Sequence, residues 1–283
     1  MLKQRVITAL ILLAVLLPAL FASNPLAFHL IVLVMLTAGA WEWARLNGLK
    51  GLGSIASAIV MCVAAWFTAQ SGFAFQEHRI LWLVAGALWV LMSVGLIKAG
   101  VASWSRIPLV LRWIGGFFAL WLAGIAMVQA RAIGINFLLS VLTLVWVADI
   151  FAYFAGRAFG LRFTKQKLAP SISPGKSWEG AWGGALGVVV MAFVWVWSDA
   201  AQQVQTQSIY SRLFEQSPWL LLVAALFMAA MSVVGDLVES LIKRSAGFKD
   251  SSQLLPGHGG VLDRIDALLP TLPLAMMLTS LVQ

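Results

Sequence analysis

Read only as hydrophobic and polar positions, the chain is a series of long apolar runs separated by short polar breaks. The runs cover roughly 6–22, 25–44, 52–70, 80–97, 113–130, 134–156, 179–198, 218–242 and 262–282. Each is close to the ~20 residues that an α-helix needs to cross the hydrocarbon core of a bilayer. The pattern predicts an all-α polytopic integral membrane protein with about nine transmembrane helices. Five of these fall in residues 1–130 and four in residues 131–283.

Basic residues in the breaks give the expected orientation. With the N-terminus in the cytoplasm, sixteen of the 19 Lys and Arg residues fall on the inner side. Only Arg79, Arg131 and Arg212 fall outside. Such an asymmetry is the positive-inside pattern. It places the polar segment after residue 242 in the cytoplasm and the stretch 199–217 outside, as a loop without chemistry. The first run has Lys3 and Arg5 before it and Ala22-Ser23 after it, which resembles a signal peptide. An uncleaved span turned by Asn24-Pro25 is the expected form.

Composition narrows the class. Hydrophobic residues make up 61% and charged residues 11%, and mean hydropathy is +0.92. These values exclude a soluble domain. The net charge of +8 then belongs to cytoplasmic loops, and no nucleic-acid partner is expected. Tryptophans near predicted span ends (Trp41, Trp43, Trp104, Trp113, Trp178, Trp219) read as interfacial anchors. Gly183, Gly184 and Gly187 would let helices approach closely. Cys62 reads as a small buried hydrophobe. Glu42, near the end of the second run, would pair with Arg45 and carries no expected role in chemistry.

Against this background one segment stands out. From Gly235 to Asp266 the chain holds five acids (Asp236, Glu239, Asp250, Asp263, Asp266), four bases (Lys243, Arg244, Lys249, Arg264), His258 and a glycine turn. Charge at a membrane boundary is costly and marks function. Asp236, Glu239 or Ser240, and Lys243 share one helical face, as do Asp263 and Asp266. Gly257, Gly259 and Gly260 between them permit positive φ and close approach to an anion. Facing carboxylates beside a basic glycine loop suit Mg²⁺ shared with a polyphosphate. A solvated loop that only sets topology would explain the bases but not the aspartates at the inner helix ends.

These residues carry a resemblance. Ser240-x-x-Lys243-Arg244, then Lys249-Asp250, then Pro256-x-His258-Gly259-Gly260-x-x-Asp263-Arg264-x-Asp266 resembles the signature of the phosphatidate cytidylyltransferases, or CDP-diacylglycerol synthases. The resemblance implies Mg²⁺-dependent transfer of CMP from CTP to phosphatidic acid, giving CDP-diacylglycerol and pyrophosphate, the entry step of phospholipid synthesis. It implies a multi-pass protein of a bacterial-type inner membrane, with its site on the cytoplasmic side among membrane lipids. A second cation and a homodimer are left open.

Two further clusters point the same way. Asp149 lies inside an apolar run, on one face with Tyr153, Gly156 and Arg157. It is either a site residue or an internal packing pair. Ser171 to Gly180 includes Gly175-Lys176-Ser177, which lacks the earlier glycine of a Walker A loop because Pro170 stands there. With no strand expected before it, a P-loop is rejected. Ser177 reads as a helix N-cap with Glu179 in the first turn. The segment is similar to a Ser-Pro-x-Lys-Ser/Thr-x-Glu-Gly stretch of the same family, so Ser173, Lys176 and Glu179 join the candidates for substrate binding, with Asp149.

The expected roles follow. Asp236 and Asp263, then Asp266, are the metal ligands and, with His258, the catalytic group. Lys243, Arg244, Lys249 and Arg264 would hold phosphates, with Asp250, Gly259 and Gly260 completing the loop. The alternatives are an ion-coupled transporter using Asp149, Asp236 and Glu239, or a CTP-dependent enzyme acting on another lipid.

Overall fold

The computed structural model describes residues 2–282, with side chains from Ile7 onward except residue 9. Lys3 and Arg5, used in the orientation above, lie outside the described side chains. The helices α1 (Leu2–Phe21), α2 (Leu26–Leu46), α3 (Leu52–Gln70) and α4 (Arg79–Ala99) come first. After them come a short α5 (Val101–Trp104), α6 (Leu109–Ile133) and α7 (Ile135–Phe159). A hairpin of β1 (Lys167–Ala169) and β2 (Ser173–Ser177) leads into α8 (Trp178–Gln202). The chain closes with α9 (Ile209–Gln216), α10 (Pro218–Ser245), a single turn α11 (Leu262–Ile265) and α12 (Leu268–Val282).

Every predicted run is helical within a few residues of the expected ends, the last one broken between α11 and α12. Among the described residues, eight helices are long and apolar enough to cross a membrane. The first run is helical as well, but its described apolar part, Leu10–Phe21, is shorter. Arg131 at the end of α6 donates to Leu20 O and Ala22 O, both at 3.0 Å. Thr8, towards the start of α1, donates to Pro256 O at 2.8 Å. The two ends of α1 are therefore tied to opposite ends of the bundle.

Burial sorts the helices into centre and rim. In α10 and in the Leu262–Val282 span, 56% and 67% of the apolar window is buried, against 17% in α3 and 22% in α4. A helix apolar on all sides belongs in the middle, and α10 packs on α4, α7, α8, α9 and α12. The outer helices turn Ile55, Ile59, Phe67, Ile80 and Leu91 outward, as lipid contact requires. The predicted glycine seam is present: a Cβ on Gly184 would lie 2.7 Å from Ala148 O, and one on Gly183 2.2 Å from Ala155 Cβ. Only hydrogen at these positions lets α8 lie directly on α7.

Several local expectations need correction. Trp43 and Trp104 are buried, with their indole N–H groups donating to Arg112 O and Asn47 Oδ1. Their polar edges find protein partners, so they do not act as interfacial anchors; Trp178 and Trp219 remain exposed. Cys62 is only half-buried. Residues 199–217 are not a plain loop, because α8 continues to Gln202 and α9 folds back under it. Asp199 is buried there, accepting from Asn136 Nδ2 (2.9 Å), Ser208 N (3.0 Å) and Ser211 Oγ (2.7 Å). Full burial pushes the Tyr210 phenol well above its ordinary range, and its O–H donates to Ser140 O.

Candidate active site

The seventh helical element ends where the site begins. Asp149, Tyr153, Gly156 and Arg157, spaced at helical intervals on α7, all line one cavity of about 440 Å³. From the hairpin and the start of α8 come Gly175, Lys176, Ser177 and Gly180, and from α10 come Val233 and Asp236. Lys176 Nζ lies 2.7 Å from Asp236 Oδ2, linking hairpin to helix. Arg157 donates to Tyr153 Oη at 3.2 Å on the same wall. Two of the sequence clusters and the leading aspartate of the third thus meet in one space.

The hairpin corrects one expectation. Lys176 and Ser177 lie in a strand paired in antiparallel register, Lys167 opposite Ser177 and Ala169 opposite Ser173. Alternating extension, rather than a helical entry, lets Lys176 reach Asp236. A strand does precede α8, but the phosphate-cradling glycine of a P-loop is still missing at Pro170. Ser177 caps α8 as expected, accepting from Gly180 N at 3.1 Å. Glu179 is buried beneath the hairpin, where Oε1 accepts from Phe163 N, Thr164 N and Thr164 Oγ1. It holds the turn before β1 and is absent from the cavity lining; Ser173 lies at the far end of β2.

The signature segment is arranged differently. Lys243 is buried and bridges Glu239 and Asp263, with Nζ 2.5 Å from Asp263 Oδ1. Asp263 Oδ2 accepts from Ser251 N (2.9 Å), Ser251 Oγ (2.9 Å) and Gly260 N (2.7 Å). Both Asp263 oxygens are thereby engaged, and the cation this carboxylate needs is a lysine. Asp236 accepts from Ser240 Oγ at 3.1 Å in addition to Lys176. Asp266 sits where α11 breaks before α12 and accepts from Ala267 N at 2.7 Å. It lies within electrostatic reach of Asp236 and Asp149, and Asp149 in turn feels Asp236, Lys176 and Arg264.

Backbone contact sets that spacing. A Cβ on Gly235 would fall 2.6 Å from Asp266 O and 3.0 Å from Ala267 Cα. Glycine at 235 lets α10 touch the α11–α12 break and so brings Asp236 close to Asp266. In the loop, Gly257 (φ 76°) and Gly259 (φ 81°) take the left-handed conformations expected of them. Leu255 N donates to Gly259 O and His258 N to Leu255 O, closing the turn, while His258 Nδ1 is buried without a hydrogen-bond partner. Arg244, Lys249, Asp250 and Arg264 are exposed. None of these loop residues lines the cavity.

The expected Glu42–Arg45 pair is replaced by something more consequential. Glu42 is fully buried and faces the signature loop, accepting from Ser251, Ser252, Val261 and Leu262. Arg45 instead lies over the Trp41 ring, 4.4 Å from its centroid. Ser251 and Ser252 were also missed. The available signal was a carboxylate inside an apolar run, the same signal that singled out Asp149.

The donor set can be tested against a magnesium ion. Among the described residues no group of three or more His, Cys, Asp or Glu side chains converges on one metal position. Asp236, Asp263 and Asp266 are therefore not a ready three-carboxylate shell, and both Asp263 oxygens already have partners in Lys243, Ser251 and Gly260. Asp236 and Asp266, hard oxygen donors within electrostatic reach of each other, fit an ion that takes one or two carboxylates and fills the rest with water and phosphate.

Comparison with known proteins places the chain by its whole length. The chain is 37% identical to a phosphatidate cytidylyltransferase of Haemophilus influenzae, over 96% of each protein. It is also 37% identical to one of Pseudomonas aeruginosa, over 96% of this chain and 95% of that one. A Brucella abortus protein of the same name is 31% identical, over 94% of this chain and 89% of its own length. Residues 3–282 match the cytidylyltransferase family as a whole. With nearly its full length accounted for, the chain belongs to the cytidylyltransferase family.

Proposed function

We propose that this protein is a CTP:phosphatidate cytidylyltransferase acting at the cytoplasmic face of a bacterial inner membrane. The observation that carries this reading is the cavity where Asp149, Arg157, Lys176 and Asp236 converge from three elements. Its lining also includes Leu168, Ala181 and Val233, so charge and apolar surface adjoin. A substrate with a charged head and hydrocarbon tails suits such a space, its tails remaining among the helices. The sixteen-to-three distribution of bases supports a cytoplasmic opening, where CTP is present.

In the reaction a phosphate oxygen of phosphatidate attacks the α-phosphorus of CTP. The bond between that phosphorus and the bridging oxygen to the β-phosphorus breaks, and pyrophosphate leaves in line. No covalent enzyme intermediate is required, and positioning and charge neutralisation carry the catalysis. Lys176 and Arg157 hold phosphates from the hairpin and α7 sides; the arginine offers a bidentate fork. Arg264, exposed beside the loop, and the outer bases Arg244 and Lys249 attract the triphosphate. Lys243 is held away from phosphate, because its ammonium is engaged by both Glu239 and Asp263. Asp236 and Asp266 would hold Mg²⁺, which when bound neutralises charge on the reacting phosphates. Asp263 stands behind them as loop support.

An ion path through Asp149, Asp236 and Glu239 fits less well, since Glu239 is buried against Lys243. The test is incorporation of radiolabelled CTP into lipid by purified protein, with phosphatidic acid, diacylglycerol and polyprenol offered in parallel. Label in CDP-diacylglycerol, dependent on phosphatidic acid and Mg²⁺, is the expected result. Label that enters only another acceptor overturns the assignment.

A further inference from the structure

We propose that Glu42 is a positioning residue for the transfer reaction, acting from α2 on the loop that leads to Asp263 and Asp266. The inference rests on the site reading above, in which Asp266 faces the reacting phosphates.

Glu42 belongs to the second helix, far in sequence from every other residue of the site. Its carboxylate has no solvent exposure, and among the described residues it forms no salt bridge. A buried carboxylate without a cation must be satisfied by hydrogen-bond donors. Here there are four. Oε1 accepts from Ser252 Oγ (2.5 Å) and Val261 N (2.9 Å). Oε2 accepts from Ser251 Oγ (3.1 Å) and Leu262 N (2.7 Å).

The donors come in two pairs, one from each end of the loop. Ser251 and Ser252 open it; Val261 and Leu262 close it and begin the turn α11. One carboxylate therefore staples both ends of a glycine-containing segment to a transmembrane helix. A Cβ on Gly260 would lie 2.5 Å from Glu42 Oε1 and 2.0 Å from Ser251 Oγ, so the loop is drawn in as far as a glycine allows. The Ser251 hydroxyl lies within reach of both Glu42 and Asp263, but its single proton serves one at a time. Glu42, Ser251, Asp263 and Lys243 thus form one continuous polar chain from α2 to α10. Asp266 is the residue immediately after α11, so any shift of Val261 and Leu262 is passed to it. Displacement of a reacting group by about 1 Å can cost on the order of a hundredfold in rate.

This arrangement predicts a specific kinetic pattern. Lys176 and Arg157, proposed to hold the phosphates, sit on elements that Glu42 does not touch. Loosening the loop should lower kcat and leave the KM for CTP nearly unchanged. The experiment uses the full chain purified in detergent, in a Cys62→Ala background with a spin label on Gln253→Cys, an exposed loop position. Glu42→Gln keeps the size but turns an amide N–H₂ toward the donors. The expected result is a fall in kcat of roughly tenfold to hundredfold, a CTP KM within about threefold, and a more mobile label. Glu42→Asp, which keeps the charge, should recover part of kcat. Ser252→Ala, at the hydroxyl that meets Glu42 but not Asp263, should give a smaller loss of the same kind.

An unchanged kcat in Glu42→Gln overturns the proposal. So does a loss of kcat with no change at the label, since the effect would not then run through the loop. Should Glu42→Gln fail to fold, Glu42→Asp and Ser252→Ala decide alone, and unaltered turnover in both overturns it. Asp266→Asn separates this inference from the site reading. If Asp266→Asn stays active, the site reading fails and this inference falls with it. If Asp266→Asn is inactive while Glu42→Gln turns over normally, only the positioning role fails.

Discussion

Lys176 and Asp236 form an ion pair, 2.7 Å from Nζ to Oδ2, between a β-hairpin and the central transmembrane helix. Both side chains are partly open, 24% and 32% exposed, so the pair contributes little to stability. Its significance lies in what can replace it. On the reading proposed above, a triphosphate would offer Lys176 a stronger anion, and releasing the lysine would free an oxygen of Asp236. Lys176→Met is therefore expected to raise the KM for CTP by roughly tenfold to hundredfold, the equivalent of a charge-assisted hydrogen bond. Its melting temperature in detergent should stay near wild type. Steady-state kinetics at fixed salt decide this, and an unchanged KM would remove Lys176 from the phosphate site.

The two aspartates first favoured as metal ligands should behave differently from each other. Asp236→Asn removes a cavity carboxylate whose pairing is exposed, so turnover is lost while the fold is kept. Asp263→Asn takes from Lys243 one of its two carboxylates and weakens the acceptor that Ser251 and Gly260 share. Breaking a buried pair by deleting one partner costs about 3–5 kcal/mol. Thermal denaturation in detergent should show a large loss for Asp263→Asn and almost none for Asp236→Asn. Equal stability of the two variants would contradict the network drawn around Lys243.

Gly260→Ala tests how tightly the loop is drawn in. The added methyl meets Ser251 Oγ and Glu42 Oε1 at distances no real Cβ adopts. Overpacking of this kind costs about 1–3 kcal/mol, and activity should fall with it. Gly115→Ala is the control, since nothing lies within 4 Å of its Cβ position. It should be neutral or slightly stabilising.

Orientation can be read with an impermeant thiol reagent on intact cells, in the Cys62→Ala background. Gln205→Cys and Gln253→Cys both place a thiol at an exposed position. Labelling at 205 without labelling at 253 is expected. The reverse pattern would invert the topology and remove the reason for CTP to reach the cavity.

The helices were legible because each apolar run is as long as a bilayer is thick, a signal that needs no knowledge of partners. Asp149 and Asp236 were legible for the same reason in reverse, as charges where apolar residues belong. Pairing was not. The spacing of Lys243 and Asp236 on one face suggested a shared substrate, yet Lys243 turned to Asp263 and Asp236 to Lys176, choices made by the third dimension. For Glu42 the sequence offers only a local partner, Arg45, three residues on. A carboxylate with four donors from a distant loop leaves no local trace. The strand at Ser173–Ser177 was missed because Pro174 and Gly175 within it read as turn.

The seam between α7 and α8 has a mechanical consequence. At Gly180 and Gly184 a Cβ would fall within 3 Å of the α7 carbonyls of Ala152 and Ala148, so these two helices meet nearly backbone to backbone. Side chains can change rotamer to let neighbours slide; main chains in contact cannot. This wall is a stiff plate, and it carries Asp149, Tyr153 and Arg157 as a fixed ruler. If the lipid head proposed above enters here, the cavity widens from the opposite side, by the hairpin lifting or α10 moving. Either motion would part Lys176 from Asp236.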